Sequence, residues 1–247
     1  MTLPLYLVDP GALDAAAAGG VLELGGDEGR HAATVRRTRA GERLLVADGL
    51  GRCARTVVEQ VAAGRLMLRV EDVDRVTPPD PALVLVQALA KGGRDELAVE
   101  TATELGVDEV VPWQAARSVV QWRGERGTKA RAGWESIARA AAKQSRRARV
   151  PAIAALASSA DVQSRIGGAA LAVVLHEDAD AGLAGMLLPS AGDVVLVVGP
   201  EGGITPDELE LFGGAGASVC RLGPHVLRSS TAGPAAIAVL SAAVRWR

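Results

Sequence analysis

Phenylalanine and tyrosine occur only once each in this chain, and its 49% hydrophobic content is alanine- and valine-rich. No apolar run approaches the roughly 18 residues that a membrane-spanning helix needs, which argues against a bilayer span. Met1-Thr2-Leu3-Pro4 carries no basic segment of the kind that opens a secretory signal, so a cytoplasmic location is expected. The two cysteines, Cys53 and Cys220, lie far apart without CxxC spacing and read as buried free thiols. The three histidines, His31, His176 and His225, are scattered, and no metal site is expected. Two nucleotide signatures are also missing. There is no GxxxxGK[ST] phosphate loop, and the glycines at 199, 202 and 203 have the wrong spacing for a GxGxxG turn.

Net charge is small, but the charges are unevenly placed. The formal net charge of −2 argues against a generic nucleic-acid binder. Between Arg117 and Arg149, however, ten Lys and Arg residues stand against only Glu125 and Glu135. A second cluster comprises Arg30, Arg36, Arg37, Arg39 and Arg43. Each cluster alone is compatible with a solvated helix face. Two of them in different halves of a near-neutral chain favour a localised anionic partner, with the acidic remainder limiting indiscriminate binding.

At 247 residues the chain can form one large domain or two smaller ones. Thr77-Pro78-Pro79-Asp80-Pro81 can continue neither a helix nor a central strand, and reads as a linker between residues 1–76 and 82–247. Upstream, alternating runs at 43–47, 54–58 and 66–70 are separated by Gly41, Asp48-Gly49 and Gly64, the rhythm of a small β-barrel. Downstream, apolar runs and helical patterns alternate. Strands are expected at 82–90, 107–112 and 169–175, with helices at 95–105 and 129–146. Thr205-Pro206-Asp207-Glu208 supplies an N-cap threonine, a proline at N1 and a glutamate at N3, a complete capping box. The last helix is expected over 231–244, with Pro234 in its first turn. This alternation implies a largely parallel sheet with helices on both faces.

The chemistry concentrates near the C-terminus. An apolar run at 194–198 ends in Gly199-Pro200-Glu201-Gly202-Gly203, and a second at 217–222 ends in Gly223-Pro224-His225-Val226-Leu227-Arg228. Two strand ends opening into such loops form a ligand cradle of the α/β kind. Glu201 would repel a phosphate placed there. S-adenosylmethionine fits better, because it carries a cationic sulfonium, an adenine edge that can bond to main-chain amides, and no phosphate.

GPEGGITPDEL (199–209) followed by LGPHVLRSSTA (222–232) resembles the RsmE family of SPOUT-class methyltransferases, which methylate N3 of a uridine in small-subunit ribosomal RNA. EGRHAATVRRTRAGERLLVADGLG (28–51) is similar to the family's RNA-binding segment. ALAKGGRDELAVETATELGV (88–107), ARSVV (116–120) and KQSRRARVP (143–151) are similar to further blocks, in the expected order. The resemblance implies a PUA-like β-barrel at 1–76 and a SPOUT domain at 82–247 whose C-terminal segment forms a trefoil knot. It implies S-adenosyl-L-methionine as cofactor, held by Leu175, His176, Glu177, Gly199, Pro200, Glu201, Gly202, Gly203, Leu222, Gly223, Val226, Leu227 and Ala232. Arg228 and Arg117 are the candidates for catalysis, and Arg30, Arg36, Arg37, Arg39, Arg146 and Arg147 for RNA contact. The expected partners are ribosomal RNA, within the small subunit, and a second copy of the chain. Where the family often has Thr-Glu-Thr after the Leu-Arg pair, this chain has Ser229-Ser230-Thr231, so no general base is assigned there. A SPOUT ribose 2′-O-methyltransferase and a non-enzymatic ribosome-assembly protein remain as alternatives. A nucleotide-dependent enzyme of small molecules fits less well, given the missing phosphate motifs.

Overall fold

A computed structural model describes residues 3–246. The chain divides into two compact units. One comprises the chain up to Pro78 together with Ala142–Val150, and the other Pro79–Ala141 together with the chain from Pro151 onward.

The first unit is built on five strands: β1 (Leu5–Leu7), β2 (Val21–Leu24), β3 (Arg43–Ala47), β4 (Arg52–Ala62) and β5 (Arg65–Arg75). They form one sheet in the order β1-β3-β4-β5-β2, with β1 parallel to β3 and the other neighbours antiparallel. A short helix, α1 (Gly26–Arg30), runs on into a π-helical turn over His31–Val35. Alternation in β5 buries Leu66, Leu68 and Val70 while Arg65 and Arg69 face outward, as a half-buried strand requires. These residues pack with Tyr6, Leu24, Leu44, Val46, Ala54 and Val58 into one core. The expected strands at 43–47, 54–58 and 66–70 lie within β3, β4 and β5. The outer parts of β4 and β5 carry no alternation because they are held by hairpin pairing rather than by the core.

Ala142–Val150 belongs to this first unit, whereas the sequence placed it in the second domain. The Gly51 N–H donates to the Ala148 carbonyl, the Val150 N–H donates to the Gly49 carbonyl, and Ala148 packs with Leu5, Leu7 and Ala47. Lys143 pairs with Glu28 at 2.5 Å and lies over the Tyr6 ring. Such contacts, about a hundred positions or more apart, leave no local signal.

The second unit contains β6 (Ala82–Ala88), α2 (Arg94–Leu105), β7 (Glu109–Trp113), α3 (Gly124–Gln144, to Ala141 in this unit), β8 (Ala152–Ile153), α4 (Ser159–Gly168), β9 (Leu171–Leu175), β10 (Asp193–Val198), α5 (Pro206–Gly214), β11 (Ser218–Cys220) and α6 (Ser229–Val244). Its six strands are all parallel, in the order β11-β9-β10-β6-β7-β8. The central strands β6 and β10 are buried nearly throughout, which is why they read as continuous apolar runs. Trp113 meets Phe212 edge to face at 5.4 Å, so the only phenylalanine is spent in this core. Among the described residues no helix is long and apolar enough to cross a membrane.

Helix α6 begins at Ser229, two residues before the expected start, and Pro234 therefore falls in its second turn. The proline removes the helical donor to the Ser230 carbonyl. The neighbouring Gly233 explains what the sequence could not show. A Cβ there would lie 3.0 Å from Leu85 and 3.3 Å from the Gln87 amide oxygen, so burial against β6 fixes this helix.

Candidate cofactor and substrate site

The carboxyl ends of β9, β10 and β11 open on the same rim, where ligands of open parallel sheets bind. Strand β10 ends at Val198 and turns through Gly199–Gly203, closed by the Gly203 N–H donating to the Pro200 carbonyl at 2.9 Å. Gly203 has φ +75°, which a side chain rarely adopts. The capping box then starts α5 as the sequence predicts, with the Thr205 hydroxyl accepting from the Glu208 N–H.

Two adjoining lobes lie on this rim. The wider, of 340 Å³, is lined by residues including Arg94, Val198, Gly199, Pro200, Glu201, Gly203, Ile204, Arg228 and Ser229. The narrower, of 100 Å³, is lined by residues including Arg221, Leu222, Gly223, Pro224 and His225. Leu175, His176, Glu177, Val226, Leu227 and Ala232 line both. Thus all the residues expected at the cofactor line a lobe except Gly202.

Gly202 faces the other way. A Cβ on it would lie 3.1 Å from the Arg117 Cβ and 3.5 Å from the Arg117 carbonyl oxygen. Arg117 lines neither lobe; its Nη1 donates to the Gly202 carbonyl at 3.0 Å. In this arrangement Arg117 braces the glycine turn from behind, whereas the sequence made it a candidate for catalysis. Glu201 is also committed, accepting from Arg94 Nη1 at 2.7 Å. Burial raises the Glu201 pKa, but its own N–H, Arg94 and the Lys91 N–H outweigh this and hold the carboxyl below its usual range. The acidic turn is therefore neutralised from within the chain, and the Glu177 carboxylate is the exposed acid shared by both lobes.

The lobe has chemistry left over for a ligand. Ser229, 8% exposed, lines it with a buried Oγ that has no hydrogen-bond partner among the described residues. A buried hydroxyl without a partner is costly, and a polar ligand would satisfy it. His176 Nδ1 accepts from the Asp178 N–H, so neutral His176 carries its proton on Nε2. Arg228, the N-cap of α6, is exposed and has no ion pair among the described residues. This set, with apolar walls, backbone amides and no phosphate cradle, fits S-adenosylmethionine.

Behind the turn lies a node that the sequence did not single out beyond its capping role. Glu208 is 5% exposed, yet both its oxygens are satisfied. Oε1 accepts from the Ala116 N–H and the Ser159 hydroxyl, each at 2.9 Å, and Oε2 from the Thr205 N–H and hydroxyl. One carboxylate thus ties α5 to the residue preceding Arg117. Burial raises its pKa, but these donated hydrogen bonds outweigh it and keep the carboxyl below its usual range. A depressed folded-state pKa contributes stability that is present above the unfolded value of about 4.3 and lost as pH falls through the folded value. Glu208→Gln should therefore lower stability by about 2–3 kcal/mol at pH 7, because an amide N–H₂ must face existing donors. The gap between variant and wild type should narrow below pH ~4. Equal denaturant midpoints at pH 7 would show that the node contributes nothing.

The proposed RNA-contact residues all lie in the first unit. Arg36, Arg37 and Arg39 are exposed, and Arg37 has φ +56°. Arg30 pairs with Asp27. Arg146 is exposed with φ +60°, and Arg147 beside it is half-buried. Both left-handed arginines close the end of a helical segment, where such a residue is common, so their backbone adds nothing to the case for RNA contact.

Of the residues lining the wider lobe, Arg94, Val198, Ile204 and Ser229 were not anticipated. Arg94 reaches Glu201 across 107 positions, which no spacing reveals. Ser229 could have been found, since it directly follows the Leu-Arg pair.

Comparison with known proteins bears on the same surfaces. A model of the RNA methyltransferase domain matches residues 78–241, and one of the RNA methyltransferase PUA domain matches residues 24–71. The chain is 47% identical to the ribosomal RNA small subunit methyltransferase E of Mycobacterium tuberculosis over 233 residues, covering 92% of this chain and 89% of that protein. The protein of that name from Bacillus subtilis is 30% identical over 224 residues, covering 87% and 88%. The crystal structure of a Neisseria gonorrhoeae protein of that name, bound to S-adenosyl methionine, superposes with a TM-score of 0.84 at 25% identity, covering 98% of each chain. A putative methyltransferase from Legionella pneumophila with bound cofactor SAM gives 0.84 at 29% identity, covering 99% of each.

Proposed function

Because this chain belongs to the ribosomal RNA small subunit methyltransferase E family, we propose that it methylates N3 of a uridine in small-subunit ribosomal RNA, using S-adenosylmethionine. The observation that carries this reading is the two-lobed cavity bounded by GPEGG and LGPHVLR, with Ser229 unpartnered inside and Arg228 unpaired at its edge.

The cofactor supplies a methyl group already activated on a sulfonium sulfur. The chain's task is then mostly positioning. The main chain of Gly199–Gly203, braced by Arg117 and Glu208, and the Leu222–Leu227 loop hold the ligand, and the Ser229 hydroxyl takes one polar contact. A uracil imide nitrogen is a poor nucleophile while protonated. Arg228 offers planar donors to the uracil carbonyls and stabilises the charge that develops as the imide proton passes to solvent water and N3 takes the methyl group from sulfur. The exposed arginines of the first unit hold the RNA by its phosphates. On the same reading the C-terminal segment is knotted, the working form is a homodimer, and the protein acts in the cytoplasm without a metal.

Mass mapping of ribosomal RNA from cells lacking the protein should reveal one missing methyl group, on uridine N3. A missing 2′-O-methyl would instead assign ribose chemistry, and an unchanged map would leave a binding protein. A second expectation concerns RNA contact. Replacing Arg36, Arg37 and Arg39 together by serine should weaken RNA binding and lower the slope of log affinity against log salt by up to about three, one unit per lost contact. Cofactor affinity should not change. An identical slope in variant and wild type would return these arginines to ordinary surface.

A further inference from the structure

A third cavity lies in the second unit away from both lobes. It measures 310 Å³ and is lined by Trp122, Gly127, Thr128, Arg131, Glu135 and the neighbouring chain at Ala155-Leu156. Trp122 is half-buried and stands edge to face on the buried Trp134, with ring centroids 5.0 Å apart. Gly127 lets α3 close on it, since a Cβ there would lie 3.1 Å from the Trp122 Cβ. Arg131 donates to the Ile153 and Ala154 carbonyls and pairs with Glu135. These contacts tie the wall of the cavity to α3 and to the segment after β8.

The rim is cationic where a helix favours anions. Arg123, Arg126 and Lys129 stand at the start of α3, all exposed and without an ion pair among the described residues, with Glu125 the only acid beside them. Cations at a helix N-terminus oppose its dipole, so Arg123 and Arg126, just before and within the first turn, work against the stability of the helix, and Lys129 follows one turn on. An anionic partner beside an aromatic wall accounts for that placement.

The loop between β7 and α3 joins this cavity to the cofactor rim. At one end Ala116 and Arg117 are fastened to Glu208 and Gly202. At the other, the Gln114 side chain holds both the Val120 carbonyl and the Trp122 N–H. Trp122 lies five positions after Arg117, a reach of at most about 18 Å from the back of the glycine turn. Enzymes that modify a base take it out of its stack, which leaves its neighbours in need of a surface. We infer that this cavity receives a nucleobase flanking the target uridine, stacked on Trp122, with Arg123, Arg126 and Lys129 on the adjoining phosphates.

This inference rests on the RNA-methyltransferase reading, and the experiment separates the two. Small-subunit ribosomal RNA lacking the methyl group is titrated in single-turnover methylation with wild type, Trp122→Leu, Trp122→Phe and an Arg123→Ser/Arg126→Ser/Lys129→Ser variant. Trp122→Leu should raise the half-saturating RNA concentration about 10-fold, the scale of one lost stacking contact, while Trp122→Phe keeps most of the affinity. The triple variant, which removes only surface charge, should lower the salt slope by about two, as expected for single-stranded RNA. Cofactor affinity and the maximal rate should hold in all three. Unchanged half-saturation and slope in an active enzyme overturn the inference alone. Normal behaviour on free RNA with a defect only on assembled subunits would also overturn it, by assigning the cavity to a protein. A wild type that methylates neither the free RNA nor the assembled small subunit removes the reading beneath it.

Discussion

Arg228→Ala should lower single-turnover methylation by about 100-fold or more, the scale of one lost transition-state donor. Arg228 lines the wider lobe, caps α6 with extended backbone, and has no ion pair among the described residues, so its guanidinium is not committed to the fold. Because the contact strengthens only as charge builds on the uracil, the loss should fall on the rate rather than on the binding of cofactor or RNA. Arg228→Lys should recover activity only in part, since a compact ammonium cannot present the planar fork to two acceptors. A normal single-turnover rate, or a defect confined to cofactor affinity, would reduce Arg228 to a brace of its loop.

Gly202→Val should weaken S-adenosylmethionine binding at least 10-fold, measured by calorimetry, with cooperative unfolding retained. The reason differs from the one the sequence suggests. Gly202 does not line the lobe, and its missing side chain makes room for Arg117, whose Cβ would sit 3.1 Å away. A valine pushes the turn off this support and breaks the hydrogen bond from Arg117 to the Gly202 carbonyl, so the neighbouring amides lose their alignment with the ligand. A 10-fold loss corresponds to about one hydrogen bond, and more than one amide is at stake. Gly202→Ala, with a single added carbon, should do less. Unchanged affinity in the valine variant would mean that the turn adapts, and would remove Arg117 and Gly202 from the support of the site.

The local signals in this sequence were reliable where the local chain itself settles the structure. The Thr205–Glu208 capping box, the strand at 194–198 and the glycine turn after it are decided by neighbouring residues, and they stand where expected. The members of the cradle were legible for the same reason, because strand ends and their loops are contiguous in sequence. The helix start at Ser229 was not, because its place depends on Gly233 packing against Leu85 and Gln87.

By itself, then, the sequence determined the alternation that makes a parallel sheet, the separate strand-rich first unit, and the two loops that frame the cofactor lobes. Only the tertiary structure decided that Ala142–Val150 joins the first unit, that Arg94 neutralises Glu201, and that Arg117 and Glu208 stand behind the turn and line neither lobe. Periodicity and capping report interactions among residues a few positions apart. The ion pair and hydrogen bonds that orient this site join residues 49 to 107 positions apart, and those meet only once the sheet has brought its strands together.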